Sequence, residues 1–303
     1  MSAFYSSMLT FAGINLIAVL GVYLLIGLTG LFSFGQVGFM AIGAYVSSIA
    51  CLQWGLPLWV GILISIAFAL IVGLFIGAIT LKLRTDYFAL ATYGFAEVVK
   101  TALIYFSDIT GGSMGIFGIP TAVNLPIVAV IAVICIMICA NFKKLKFGRN
   151  SLAARNDSLA AEIMGINTFA HKMKVFLLSA VLGALSGALL AFSTSYIEPE
   201  MFNWSKSVEL IIIVFFGGLN SLSGAVFATL FLSLLPELLR FGSEWRMVLF
   251  TFIIIVTIIF KPTGLFGYFE IPLNPVTIAK KIRSYVKKIR AGRSAKRGEC
   301  DAG

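Results

Sequence analysis

The chain has 303 residues, of which 59% are hydrophobic and 12% charged, and its formal net charge is +10. Soluble domains typically carry about 25% charged residues, so this composition excludes an ordinary soluble protein and indicates an integral membrane protein. Because basic residues in membrane proteins mark cytoplasmic loops, the positive charge does not indicate a nucleic-acid partner. One histidine and four cysteines without ligand spacing leave no recognisable metal site in the sequence.

Apolar runs that can cross a bilayer recur along the chain, each helical span needing about 20 residues. We predict spans at 10–32, 38–53, 57–81, 87–106, 123–141, 171–196, 205–219, 223–240 and 246–260. The second and the seventh are short, which is typical of broken or re-entrant helices. The predicted fold is an all-α, polytopic transmembrane bundle with about 8–10 membrane segments. It occupies residues 1–270 and is followed by a basic tail at 271–303.

The stretch GLTGLFSFGQVGF, residues 27–39, interrupts an apolar run with four glycines and several polar residues. A membrane helix can break only where its freed backbone groups face a cavity or other protein, and broken helices form many transporter binding sites. Ser33 and Gln36 are therefore candidates to line a substrate pathway, together with Thr92 in the fourth span. The structural alternative is a break that serves helix packing alone.

Two acidic residues fall clearly within apolar spans, and each has a lysine three residues away. Lys100 follows Glu97, and Lys206 precedes Glu209, so both pairs can meet on a helix. Charged groups inside a membrane usually face a cavity or a partner. Glu97 and Glu209 are therefore further pathway candidates, and mutual neutralisation near helix ends is the structural alternative.

The basic residues predict the orientation of the chain. Of the 23 lysines and arginines, 19 fall in three regions, 82–84, 143–174 and 261–297. Alternating passage through nine spans places all three regions on one side, which the positive-inside rule makes cytoplasmic. The N-terminus is then outside and the C-terminus cytoplasmic. The basic tail is expected to lie on anionic lipid headgroups, with a specific partner site as the alternative.

A polar segment interrupts the apolar sequence at about 142–170. Its centre reads GRNSLAARNDSLAAEIMGIN, residues 148–167, and is predicted to form a helix outside lipid. The sequence contains no nucleotide-binding motif, since the Gly-rich loop at 108–120 lacks the Lys-Ser/Thr pair of a P-loop. We therefore expect no cofactor on this chain, and ATP and Mg on partner subunits if transport is driven by ATP.

Several long motifs, in order over roughly residues 25–267, resemble the permease subunits of branched-chain amino acid ABC importers of the LIV-M type. Besides the central polar segment they are GLTGLFSFGQVGFMAIGAY, LKLRTDYFALATYGFAEV, TGGSMGIFGIP, YIEPEMFNWSKSVELIIIVFFGGLNSLSGAVFA, LLPELLR and FKPTGLFG. The resemblance implies a permease of the bacterial inner membrane without catalytic residues. It also implies pairing with a LIV-H type permease, two ABC ATPase subunits and an extracytoplasmic substrate-binding protein.

In such importers the central polar segment is the coupling helix that docks into an ATPase subunit. The segment is similar to a general importer loop, EAA-x-x-x-G, which Ala160, Ala161 and Gly165 match, whereas Leu159 stands in place of the glutamate. The small residues are expected to let the ATPase approach closely. The predicted polar rim consists of Arg149, Arg155, Asp157 and Glu162. The structural alternative is a solvated helix that merely joins two spans.

Two alternative functions remain open at this point. One is a permease of the same kind whose substrate is urea, a short amide or another amino acid. The other is an ion-coupled secondary carrier or channel that works alone, which predicts several intramembrane acids as ion ligands. The scarcity of such acids in the spans argues against the second.

Overall fold

The computed structural model describes residues 2–238, together with residues 255, 264 and 267. The predicted ninth span, apart from Ile255, and the basic tail lie outside the described residues. Over residues 2–238 the chain is a helical bundle with one two-stranded sheet. This confirms the predicted all-α, polytopic class.

Each of the first eight predicted spans contains a helix within the described residues. In chain order the elements are α1 (Ser2–Leu24), a π-helical turn (Leu25–Thr29), α2 (Gln36–Leu52), α3 (Leu58–Thr80), α4 (Thr85–Tyr105), α5 (Ser107–Thr110), a 3-10 turn (Gly112–Met114), β1 (Ile116–Phe117), α6 (Leu125–Lys144), α7 (Lys146–Asn156), α8 (Ser158–Ile163), α9 (Thr168–Thr194), β2 (Tyr196–Ile197), a 3-10 turn (Pro199–Phe202), α10 (Trp204–Gly217) and α11 (Leu222–Leu238).

Helix length separates full spans from partial ones. Within residues 2–238, four helices are long and apolar enough to cross a membrane, namely Phe4–Thr29, Leu58–Thr80, Leu125–Lys144 and Thr168–Thr194. The apolar helix Gln36–Leu52 is shorter. α10 has 14 residues, or about 21 Å of helix, against a hydrocarbon core of about 30 Å. The second and seventh spans are therefore short, as the sequence predicts.

The core forms around α9, which packs against α1, α2 and α3. Glycines let α2 and α9 meet backbone to backbone: a Cβ on Gly187 would collide with the Met40 carbonyl, and one on Gly43 with the Ala184 carbonyl. Without a hydrophobic driving force between helices in lipid, such close packing supplies van der Waals contact. The GxxxG pair Gly183–Gly187 therefore serves packing.

A second small-residue stripe lies on α3, whose buried face repeats every four residues. It consists of Gly61, Ser65, Ala69, Gly73 and Gly77. A Cβ on Gly73 would lie 3.3 Å from the Leu177 side chain, so this face packs on α9. Large apolar side chains such as Leu74 and Phe75 are exposed on the other side of α3, where lipid can cover them.

The loops after α4 and α9 meet at the end of the bundle opposite the polar segment. β1 and β2 pair antiparallel, with Ile116 opposite Ile197. The 3-10 turn before α10 places Glu200 beside α4, and its carboxylate lies 2.7 Å from Lys100 Nζ. Lys100 therefore pairs with Glu200 rather than with Glu97. In the same loop, the hydrogen bond from Tyr196 to Glu198 raises the pKa of the tyrosine hydroxyl.

Candidate functional site

The chain breaks where the glycine-rich stretch predicts. α1 ends in the π-helical turn Leu25–Thr29, and Gly30 follows in the left-handed conformation at φ 70°. Residues 30–35 are not helical, and α2 begins at Gln36. π-Helical turns are rare and occur frequently at functional sites.

The start of α2 lies near the middle of the membrane. The Gln36 amide donates to the Ala18 carbonyl of α1, and Ala18 is nine residues before Gly27, which is about 14 Å along a helix. Gly27 itself is contacted by Arg155 of the polar segment. Residues 30–35 therefore cross about half of a 30 Å hydrocarbon core, and the helical hydrogen bonds that reach this stretch are at its two ends, from the Gly30 amide to Ile26 and from the Phe39 amide to Gly35.

Side-chain hydroxyls replace the missing helical bonds of this extended stretch. Thr92 Oγ1 of α4 accepts from the Phe34 amide at 3.2 Å, and Ser207 Oγ of α10 donates to the Phe34 carbonyl at 3.0 Å. Ser33 Oγ accepts from the Gly35 amide at 3.2 Å. Thr92, Ser33 and Ser207 are all buried, so in this conformation they stabilise the break rather than line an open passage.

Gln36 forms the polar contact between three helices. Its amide nitrogen donates to the Ala18 and Ser179 carbonyls at 3.3 and 3.2 Å. Its oxygen accepts from the Ser179 hydroxyl at 2.9 Å, and that hydroxyl also lies 2.8 Å from the Gly21 carbonyl. The side chain is 2% exposed. Buried polar groups need such partners, so Gln36 fixes α2 against α1 and α9.

The more accessible groups at this depth lie on α10 and α4. Trp204 is 43% exposed, and its ring stacks on Phe34 at 4.6 Å and meets Tyr93 edge-on at 4.7 Å. Two residues further along α10, on the other side of the helix, Lys206 Nζ donates to Glu209 at 3.1 Å, the contact that the spacing predicts. Since Ser207 touches Phe34, this ion pair is also near mid-membrane. A charged pair at this depth is costly to expose to lipid and usually faces a cavity or a partner.

Glu97 continues the same face of α4. It is half-buried and lies four residues after Tyr93, a spacing that places two side chains on one side of a helix. The residues of α4 and α10 at this depth, Tyr93, Glu97, Trp204, Lys206 and Glu209, are together called the mid-membrane face below, although Lys206 and Glu209 project from a different side of α10 than Trp204. Within residues 2–238 the structure places no group of three or more metal-ligating side chains together.

The polar segment is two helices rather than the single one predicted. Asp157 separates α7 from α8, and its side chain accepts from the amides of Leu159 and Ala160 at 3.0 Å each. Asp157 is thus an N-cap. α8 ends before Gly165, whose φ is 78° and whose neighbour Ile166 donates back to the Ala161 carbonyl, as in a Schellman cap. Gly165 therefore terminates α8 and does not lie within the helix.

The small residues of the segment face the permease itself. Ala161 is 4% exposed, and Ser151 and Ala154 on α7 are also buried. Arg155 turns inward as well: its Nη1 donates to the Gly27 carbonyl and to Asn220 Oδ1. By contrast Arg149, Ala160 and Glu162 are exposed. The small-residue face thus packs against the bundle, in place of the partner-facing position expected for Ala161.

The outward face of the segment is apolar. Leu159, Ile163 and Met164 are 73%, 86% and 81% exposed, and together they form what we call the α8 patch. Charged neighbours and an Asp157 cap place this helix in water, where three large exposed apolar side chains side by side mark an interaction site.

Cysteine accessibility distinguishes the buried break from the mid-membrane face. In a background without native cysteines, we expect Ser33→Cys to react with a small polar thiol reagent at least tenfold more slowly than Ser205→Cys. Ser33 is buried and Ser205 is exposed, and a buried site reacts only through local opening, in which about 1.4 kcal/mol corresponds to tenfold. Equal rates at the two positions in nucleotide-free permease would contradict the arrangement described above.

Taken together, the spans, the mid-membrane break and the exposed polar segment define a helical membrane permease. The sequence from residue 4 to residue 258 matches the model of the family described as branched-chain amino acid transport system, permease component, and the chain belongs to that family. The match confirms the predicted class, a multi-pass permease of a transport system.

Individual relatives are also permease proteins of branched-chain amino acid transport systems. The chain is 29% identical to the high-affinity branched-chain amino acid transport system permease protein LivM of Escherichia coli (strain K12), over 84% of this chain and 68% of the relative. It is 28% identical to LivM of Salmonella typhimurium over the same shares. The permease protein BraD of Pseudomonas aeruginosa is 25% identical over 42% of this chain and 41% of its own length. No solved structure matches the chain significantly.

Proposed function

We propose that the chain is one membrane-spanning subunit of an ATP-driven importer of branched-chain amino acids in the bacterial cytoplasmic membrane. The observation that carries the proposal is the α8 patch, an apolar surface on a water-exposed segment of a transport permease. A chain without a nucleotide-binding motif must obtain ATP-driven motion from another protein. An ABC ATPase subunit seated on this patch supplies that motion.

The proposed complex contains this chain, a LIV-H type permease, two ATPase subunits and an extracytoplasmic substrate-binding protein. The α8 patch, with Arg149, Ala160 and Glu162 at its edge, docks into the ATPase. Docking places the polar segment in the cytoplasm, so the loops that carry β1 and β2 face outward. The regions rich in lysine and arginine also lie in the cytoplasm by the positive-inside rule. The C-terminus, which follows the last of these regions, is therefore cytoplasmic as well.

The mid-membrane face is the proposed passage for the amino acid. A zwitterion carries one carboxylate and one ammonium group, which Lys206 and Glu209 complement in charge. The aromatic rings of Phe34, Tyr93 and Trp204 offer an apolar surface for an aliphatic side chain. Opposite charges and an apolar surface at the same depth suit leucine, isoleucine or valine better than uncharged urea or short amides.

The proposal is tested by reconstitution in proteoliposomes. We expect ATP-dependent uptake of leucine, isoleucine or valine only when both permease types, the ATPases and the binding protein are present. An ATPase variant unable to hydrolyse ATP is the matched control and should abolish uptake. Uptake by this chain alone under an ion gradient would contradict the proposal and favour a secondary carrier, and a preference for urea would change the cargo.

A further inference from the structure

We infer that Arg155, Lys143 and Asn220 form a latch that carries movement of the cytoplasmic segment to the helix break. The inference rests on the proposed coupling function and deepens it by naming the internal connection. These residues come from α7, the end of α6 and the turn between α10 and α11. The groups that they bind include a carbonyl in the last turn of the first span.

Asn220 is held through both of its oxygens. Its backbone carbonyl accepts from Lys143 Nζ at 2.8 Å, and its side-chain oxygen accepts from Arg155 Nη1 at 2.9 Å. The Tyr23 hydroxyl of α1 also lies 3.4 Å from the Asn220 carbonyl and 3.2 Å from Lys143 Nζ. Bonds to charged donors are shorter and stronger than neutral ones, so the turn is tied firmly to the cytoplasmic segment.

Arg155 also holds the end of the π-helical turn. Its Nη1 donates to the Gly27 carbonyl at 2.6 Å, and the helix ends two residues later. Carbonyls in a last turn lack helical donors, and a cation beside them is stabilised by the helix dipole. One guanidinium nitrogen therefore joins the break and the α10–α11 turn to α7.

Close packing makes the latch stiff. A Cβ on Gly27 would lie 3.0 Å from the Leu219 carbonyl, and a Cβ on Gly30 would lie 3.1 Å from Arg155 Cγ. The break and the turn thus touch with no intervening side chain. A displacement of α7 must move Gly27 and Asn220 with it or break both bonds of Arg155.

The latch can affect the mid-membrane face because of where the elements that Arg155 binds lead. The extended stretch 30–35 begins directly after the π-helical turn, and Phe34 near its other end contacts Trp204. α10 runs from Trp204 to the turn that contains Asn220. Arg155 therefore binds the cytoplasmic ends of the two elements that meet at the mid-membrane face. Pulling on α7 moves both ends together.

Hydrogen exchange in the assembled transporter tests the latch directly. In the wild-type complex, we expect binding of a non-hydrolysable ATP analogue to change amide exchange at residues 158–167 and also at 25–35 and 217–221. In Arg155→Gln, the change at 158–167 should persist, whereas the change at 25–35 and 217–221 should be lost. Transport per ATP hydrolysed should fall about tenfold, equivalent to about 1.4 kcal/mol.

Three further variants guard against simple misfolding. Asn220→Ala removes the side-chain oxygen but keeps the carbonyl that Lys143 binds, and the double variant Arg155→Gln/Asn220→Ala should be no worse than either single change, as expected for residues that act together. Arg84→Gln removes an exposed arginine elsewhere on the cytoplasmic side and should behave like wild type.

The outcomes distinguish failure of the proposed docking from failure of the latch alone. If residues 158–167 show no response to nucleotide in the wild-type complex, the proposed docking is wrong and the latch falls with it. If they respond and Arg155→Gln still transmits the change to 25–35 with normal transport per ATP, only the latch is wrong. Additive losses in the double variant would likewise overturn it.

Discussion

Replacement of Ile163 by aspartate is expected to abolish assembly with the ATPase while leaving the permease folded and inserted. Ile163 is the most exposed member of the α8 patch, at 86%, so the change removes few contacts inside the permease. Burying an isoleucine in an interface contributes about 1.5–3 kcal/mol, and an unpaired carboxylate there adds a further penalty. Affinity for the ATPase should therefore fall by at least about a hundredfold.

Asn156→Asp provides the matched control for this change. It adds the same negative charge to the same segment at an exposed position outside the α8 patch. Co-purification of the ATPase, its substrate-stimulated hydrolysis and the abundance of the permease in the membrane are the measurements. Normal co-purification with Ile163→Asp, or equal loss in both variants, would remove the α8 patch as the docking surface.

Ala161 is a less informative position for testing the docking surface than an exposed residue. The importer-loop pattern predicts that a bulky residue at Ala161 blocks docking. In the structure Ala161 is buried against the permease, so Ala161→Trp overpacks the bundle itself, at a cost of about 1–3 kcal/mol. Loss of assembly in that variant would not distinguish docking from internal damage. Ala160, which is exposed, is the informative neighbour.

Helix positions and the break were predictable because they depend on local sequence. Long apolar runs specify spans, and the glycines of residues 27–39 mark where α1 gives way to α2. The mutual approach of Lys206 and Glu209 was also predictable from a three-residue spacing. Asp157 carried a recognisable signal as well, since an aspartate before Ser-Leu-Ala-Ala is a common N-cap, which divides the predicted polar helix in two.

Tertiary partners were not predictable in the same way. Lys100 has a glutamate three residues before it, yet it binds Glu200, which a turn one hundred residues later brings within 2.7 Å. From the sequence, Arg155 is expected to be a solvated charge in a polar segment. In the structure it points inward and donates to the Gly27 carbonyl and to the Asn220 side chain. Leu159 and Ile163 did carry a signal, because apolar residues four apart outside lipid form one helix face.

Neutralising Glu209 is expected to lower transport about a hundredfold, because Glu209→Gln leaves the Lys206 ammonium near mid-membrane without its carboxylate, where a lone charge costs about 2.5–3.5 kcal/mol. Two explanations of the pair give this same single-variant result. In one, the pair only neutralises itself, and the double variant Lys206→Gln/Glu209→Gln restores transport. In the other, the charges meet the zwitterion, and the double variant stays inactive.

We expect the double variant to stay inactive, with normal abundance and ATPase assembly, because removal of both charges takes away the groups that complement the substrate. The pair Lys100–Glu200 is the matched control: it joins the outer end of α4 to the outer loop, the Glu200 side chain is 65% exposed and that of Lys100 17%, and ion pairs that reach solvent are worth about 0–1 kcal/mol. Lys100→Gln/Glu200→Gln should transport normally. Recovery of uptake in Lys206→Gln/Glu209→Gln would assign the mid-membrane pair a structural role and move the substrate contact elsewhere on that face.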